Sequence, residues 1–233
     1  MKKIYKRILT GGTTLALITG IMYLGIGANK INSNLNSTIV SKSIYGNRKA
    51  LKRSLPNIVI YSSESGEDYP SGKRVTDIGK LLNIKLKKKG LKSTFINNPI
   101  ITKKVMLSYS DYSKTYENTR NLIKQNIKNY NKCILLDIYR DKGVSKNNTE
   151  ISLVTNTPNY TKNRKFAEAL ITQLDKLKRP TNICPFVLDE TKFNQDLSDK
   201  SMMLGVGNIK SSDSELNKLV DLISTAFKNL NYK

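Results

Sequence analysis

The chain contains no histidine and no tryptophan. The first absence is the more restrictive, because it removes the commonest zinc ligand and the commonest general base near neutral pH. Cysteine is almost missing too: only Cys133 and Cys184 are present. They form no Cys-x-x-Cys pair and have no histidine to activate a thiolate, so thiol redox and cysteine-nucleophile chemistry find no support. Both sit in apolar runs and are expected to be buried free thiols. A disulfide between them stays open if the domain lies outside the cell. Acidic residues are scarce, 18 Asp and Glu against 40 Lys and Arg, for a net charge of +22 over 233 residues. That balance favours polyanions: nucleic acid, anionic lipid, or the anionic polymers of a bacterial wall.

Long apolar runs are equally rare. One occurs, residues 8–28 (ILTGGTTLALITGIMYLGIGA), after a tip carrying Lys2, Lys3, Lys6 and Arg7. About 20 apolar residues cross a bilayer core, and positive charge before the run keeps the N-terminus inside. Residues 1–7 therefore read as a cytoplasmic tip and 8–28 as an uncleaved transmembrane helix. The remainder is expected outside the cytoplasm of a single-pass protein of the cell membrane. The rival reading is a cleaved signal peptide ending near Gly25-x-Gly27. An external domain removes nucleic acid from the candidate partners. Residues 29–55, rich in Asn, Ser and Lys, read as a tether, and Pro56 marks its end.

From residue 56 to 233 strand and helix patterns alternate. Strands are expected at 57–61 (NIVIY), 91–96, 133–141, 150–155, 183–188 and 201–206. Helices are expected at 76–89, closed by Gly90, at 109–130, at 161–178, and after Ser212-x-x-Glu215, a capping box. This alternation predicts an α/β domain of three layers, a mainly parallel sheet flanked by helices. The stretch 133–141 (CILLDIYRD) organises the rest. Its apolar run reads as a strand buried on both faces. Its polar end falls at the carboxyl edge, where ligands bind in open α/β sheets. Arg140 and Asp141 equally suit a plain strand end that turns into solvent.

The segment order resembles the stage II sporulation protein P family, membrane-anchored zinc-dependent enzymes that cut peptidoglycan as N-acetylmuramoyl-L-alanine amidases. Residues 57–69 (NIVIYSSESGEDY) resemble the family's strand followed by His-Thr-His-x-x-Glu-Ser-Tyr. Residues 136–141 (LDIYRD) are similar to its Leu-Asp-Ile-His-Arg-Asp, and 159–170 (NYTKNRKFAEAL) to its Asn-x-x-x-Asn-x-x-Phe-Ala. Residues 193–198 (FNQDLS) and 203–208 (MLGVGN) resemble its Tyr-Asn-Gln-Asp-Leu-Ser and Leu-Leu-Glu-Val-Gly. The resemblance implies zinc ligands at the positions of Ser62, Glu67 and Tyr139, and a catalytic acid/base at that of Gly205. Glu64 stands at the second His of the first motif. Of these only Glu67 keeps the family's residue.

That pattern implies a lost zinc site. A hydrolytic zinc takes about three good protein ligands and an open position for water. Ser62 is a poor donor, a tyrosine such as Tyr139 is neutral at pH 7, and Gly205 cannot move a proton. Glu64 and Glu67 offer only oxygen, which suits a weak magnesium or calcium site better than zinc, and a solvated acidic loop is the plainer reading of the pair. A serine hydrolase is excluded, since Ser62 and Ser63 have no histidine and no Gly-x-Ser-x-Gly elbow. Substrate contacts remain open at Glu67, Arg140, Asp141, Asn163, Asn194 and Gln195. Arg140 suits a peptide carboxylate, and the amides suit peptide groups or simple bracing of loops. The expected function is a catalytically inactive homologue that binds or organises peptidoglycan or another anionic wall polymer in sporulation, possessing no cofactor. The alternatives are a still-active hydrolase with a carboxylate metal site, and a tethered scaffold for other sporulation membrane proteins.

Overall fold

A short Val/Ile/Leu-rich strand buried on both faces needs a layer above and below it, and three such strands set the architecture here. They are β1 (Ile58–Tyr61), β3 (Ile134–Asp141), whose first five residues are buried, and β6 (Ser201–Asn208), buried throughout. The computed structural model describes residues 55–98, 109–141, 149–187 and 192–230. The expected anchor at 8–28, all but the last residue of the tether at 29–55, and the turn at 142–148 lie outside them. Among the described residues no helix is long and apolar enough to cross a membrane.

The remaining strands are β2 (Ser93–Phe95), β4 (Thr149–Val154) and β5 (Asn182–Phe186), and the sheet order is β2-β1-β3-β6-β4-β5. The pairs from β2 to β6 are parallel, β4 runs antiparallel to β6, and β5 runs parallel to β4. The mainly parallel sheet is as expected, and the reversal of β4 and β5 is an addition to it. Residues 142–148 are too few for a parallel crossover, which takes about a dozen, so β4 returns in the opposite direction.

Alternation along the strands then sorts the two faces. Ile134, Leu136 and Ile138 of β3, Ile151 and Leu153 of β4, and Met202, Leu204 and Val206 of β6 join one core with α1 (Val75–Lys88), α3 (Tyr160–Lys176) and α4 (Asp213–Asn229). Val59, Tyr61 and Leu135 join the other with Ile123 of α2 (Tyr109–Asn126) and Leu197. The helix at 109–130 ends at Asn126, and Tyr130–Lys132 forms a separate 3-10 turn. Helix ends follow their sequence signals. Ser212 Oγ accepts from Glu215 N at 3.3 Å, and Ser212 N donates to Glu215 Oε2 at 2.8 Å. Gly90 closes α1 at φ +77°, and Leu91 N donates to Leu86 O at 3.0 Å.

One cysteine expectation is corrected. Cys133 is buried, but Cys184 is exposed, because β5 is an edge strand with little above it. Two strands, β6 and β4, stand between the cysteines' strands, and both thiols are free. Three strand spacings of about 4.8 Å exceed the reach of a disulfide.

The segment leading into β6 is held almost wholly by buried amides. Asn163 Nδ2 donates to Gln195 O at 2.8 Å, and Asn163 Oδ1 accepts from Ser201 N at 2.9 Å. Gln195 Nε2 donates to Ser152 O at 3.1 Å, and its Oε1 accepts from Val154 N at 3.0 Å. Asn194 Nδ2 donates to Tyr116 O at 3.3 Å. Arg120 grips Asp196 with two bonds of 2.9 and 2.6 Å. Of the two roles open to Asn163, Asn194 and Gln195, these bonds are bracing. A buried backbone group left without its partner costs about 1–3 kcal/mol. Asn163→Ala, which strands two such groups, is therefore expected to lower stability by about 2–5 kcal/mol, read as a drop in the urea midpoint at unchanged slope.

Candidate functional site

β1 stops at Tyr61, and the chain turns over the end of β3. Ser63 fastens that turn, its N–H donating to Asp137 Oδ1 at 2.9 Å and its hydroxyl to Oδ2 at 2.6 Å. Asp137 is 2% exposed. Burial pushes its carboxyl up to about 7, against the pull of the two Ser63 bonds, and Glu64 and Glu67 add to the rise. Further along, Glu67 Oε2 accepts from Arg140 N at 2.7 Å, and the Arg140 guanidinium donates to Asp68 O. The Tyr69 hydroxyl donates to Val206 O at 2.5 Å. Burial, then the charge of Glu67, keeps that phenol neutral. Turn, β3 and β6 are thus stitched together.

Beside this stitching lies a row across three strands. Tyr139 of β3 and Glu150 of β4 are both in register with Gly205 of β6. The Tyr139 ring lies over the glycine: a Cβ there would stand 3.0 Å from Cζ and 3.1 Å from Oη. The hydroxyl reaches β4, 3.0 Å from Glu150 Oε1 and 2.9 Å from Ser152 Oγ. Burial, then the nearby carboxylates, hold the phenol far above its usual range, against the Ser152 bond. Above the row is a cavity of about 310 Å3, lined by Glu64, Glu67, Tyr139, Arg140, Asp141, Glu150 and Ser152, with Phe186, Phe193 and Met203 as apolar wall.

The cavity therefore gathers Glu64, Glu67, Tyr139, Arg140 and Asp141 from the sequence-based list, with Gly205 beneath Tyr139. Ser62 is buried at 1% exposure, and its hydroxyl has no partner. Asn194 lines a second cavity of about 360 Å3 with Tyr116, Arg120, Lys192 and Asp196. Phe193, at φ +44°, stands in the wall of both cavities, packed edge-on against Tyr116 and Phe186. Sequence reasoning missed Glu150 and Ser152. Their alternation in TEISLV puts them on one face, but only the antiparallel register brings that face to Gly205.

These donors do not fit zinc. The Tyr139 phenol is neutral and already bonded, Glu67 is engaged with the β3 backbone, and among the described residues no histidine or cysteine lines the cavity. Among the described residues no group of three or more Cys, Asp or Glu is placed to hold a metal ion. What the arrangement offers is acceptor oxygens, one guanidinium and an apolar wall, which suits holding a polar chain.

A model of the stage II sporulation protein P family matches residues 26–228. Succinylglutamate desuccinylase from Vibrio cholerae has a similar structure, with 13% identity and TM-score 0.50, over 77% of this chain and 58% of that one. The CwlD amidase of Clostridioides difficile, solved with the GerS lipoprotein, has 14% identity and TM-score 0.47 over 74% and 94%. The catalytic domain of CwlV, an N-acetylmuramoyl-L-alanine amidase from Bacillus (Paenibacillus) polymyxa var. colistinus, has 12% identity and TM-score 0.43 over 75% and 94%. Comparison with curated proteins gives no match.

Two outcomes test the geometry. Gly205→Ala forces the Tyr139 ring to move and is expected to cost about 1–3 kcal/mol. In a Tyr139→Ala background the same change should cost less than about 0.5 kcal/mol, so a double-mutant cycle reads the contact directly. For Asp137 the folded-state value lies above the unfolded one of about 3.9, so the folded chain binds the extra proton. Its contribution is fully present below about pH 4 and is lost as pH rises towards 7. Relative to Asp137→Asn, the wild type should lose stability across that window, by on the order of a few kcal/mol, as measured by urea midpoints against pH.

Proposed function

Because this chain belongs to the stage II sporulation protein P family, we propose that it is a peptidoglycan-directed, hydrolase-like protein that binds the wall without cutting it. On this reading it is held at the cell membrane by residues 8–28, with the domain outside, and serves during sporulation. The observation that carries the reading is the Tyr139 hydroxyl bonded to Glu150 and Ser152 across Gly205. The centre of the cleft holds a neutral phenol where hydrolysis needs a metal-bound water and a mobile proton. Without a metal the attacking water keeps its bulk pKa, and nothing polarises the scissile amide. The remaining groups hold rather than cut. Glu64, Glu67, Asp141 and Glu150 accept from peptide N–H groups or ammonium groups, and Arg140 takes a carboxylate.

A second reading has one observation in its favour: Glu64 and Glu67 line the same cavity. All-oxygen donors prefer magnesium or calcium, and a hydrolase using such an ion would depend on these carboxylates.

The deciding experiment incubates the purified protein with sacculi plus zinc, magnesium, calcium or EDTA, and follows soluble muropeptides and bound protein together. The expected result is no release in any condition, with binding that persists at salt concentrations that screen a charge of +22. Release that requires a divalent ion and disappears in Glu64→Gln or Glu67→Gln would overturn it in favour of the second reading.

A further inference from the structure

The edge of the sheet opposite the cleft is a face of lysines. Backbone bonds knit the strand starts there into one row. Ile58 N donates to Lys92 O, Ile134 N to Asn57 O, and Leu135 N to Lys200 O, each at 3.0 Å. α1, α2 and α4 each follow a strand that ends at the cleft, so their C-termini return to this row. Those ends bring Lys87 and Lys88 from α1, Lys128 and Lys132 after α2, and Lys228 from α4, while Lys92 opens β2. All six are exposed. The α1 and α4 ends touch, since a Cβ on Gly90 would lie 3.8 Å from Lys228 Nζ. Acids near the row are already taken. Asp199 pairs with Lys200 at 2.7 Å, and Asp221 with Lys85 and Lys89 at 3.4 Å each.

The polypeptide also enters the domain here. Leu55 and Pro56 lead directly to Asn57, and Arg48, Lys49, Lys52 and Arg53 come just before them. We propose that this lysine edge rests on the anionic lipid headgroups of the membrane that holds the chain, so that the cleft at the opposite edge faces away from the bilayer. The proposal rests on the anchor of the preceding reading and adds the orientation and the contacting face. Lipid is favoured over a soluble polyanion because the chain arrives at this face and no other. Only 27 residues, 29–55, separate the end of the apolar run from that entry point. Attraction of each lysine falls off within a Debye length, about 10 Å at 0.1 M salt and 3 Å at 1 M.

The test uses the full chain in nanodiscs of phosphatidylcholine alone or with phosphatidylglycerol, and maps lysine acetylation by mass spectrometry. Co-elution with the disc reads the anchor, and the acetylation pattern reads the edge. Lys87, Lys88, Lys92, Lys128, Lys132 and Lys228 should react about fivefold more slowly on anionic discs, the factor expected per basic residue at such a surface. Lys80 and Lys178, towards the cleft edge, should not change, and 1 M salt should erase the difference. In Lys128→Glu/Lys132→Glu the slowing at Lys87 and Lys88 should weaken. Co-elution with equal reactivity on both discs overturns the edge contact and leaves the anchor standing. Failure to co-elute overturns both. Equal slowing by soluble polyphosphate on phosphatidylcholine discs overturns lipid as the partner in favour of a wall polyanion.

Discussion

Tyr139 reaches across β6 because Gly205 has no side chain to stop it. A phenol ring laid on bare backbone makes contact over its whole face, and its hydroxyl then has to find partners on the next strand. Glu150 and Ser152 provide them, and their own position depends on β4 running antiparallel to β6. The composition of the cleft follows from this one approach. It draws β4 into the site, fixes where Glu150 points and leaves Met203 in the wall. A side chain at 205 would undo all three. Tyrosine and glycine here are two halves of one packing solution, so that a change at either position is felt at the other.

Most of the scaffold was legible in the sequence. The unbroken run from Ile134 to Ile138 marked β3, Gly90 marked the end of α1, and Ser212 with Glu215 marked the start of α4, because each signal is local and has a single cheap solution. The cleft was legible only along β3 and the turn after β1, where Glu64, Glu67 and Arg140 lie close to recognisable segments. Glu150 was invisible for a physical reason. Strand pairing is set by turn length and by the burial of the partner faces, and neither says which residue of β4 meets Gly205. Cys184 misled because an apolar segment on an edge strand looks like one inside the sheet. The amides of Asn163 and Gln195 were ambiguous because the same groups that bind a peptide also satisfy a buried backbone.

Charge is sorted along the strand direction by rules that act separately on each helix. Cations are favoured at helix C-termini, where unpaired carbonyls carry partial negative charge, and anions near N-termini. Lys87, Lys88 and Lys228 obey the first rule, and Asp77, Asp213 and Glu215 the second. Since three helices run the same way, individually small preferences of a few tenths of a kcal/mol add up to a face. At the other end, burial raises the Asp137 carboxyl against the pull of its two Ser63 bonds, so the turn over β3 rests on a group whose charge is costly to keep there.

β5 carries Pro185 in its middle, and β2 at the far side is only Ser93–Phe95. A proline offers no N–H to a new strand, and a strand of that length offers almost no ladder to extend. The sheet is therefore blunt at both sides. Copies of the chain crowded together therefore find little ladder to extend at either edge strand.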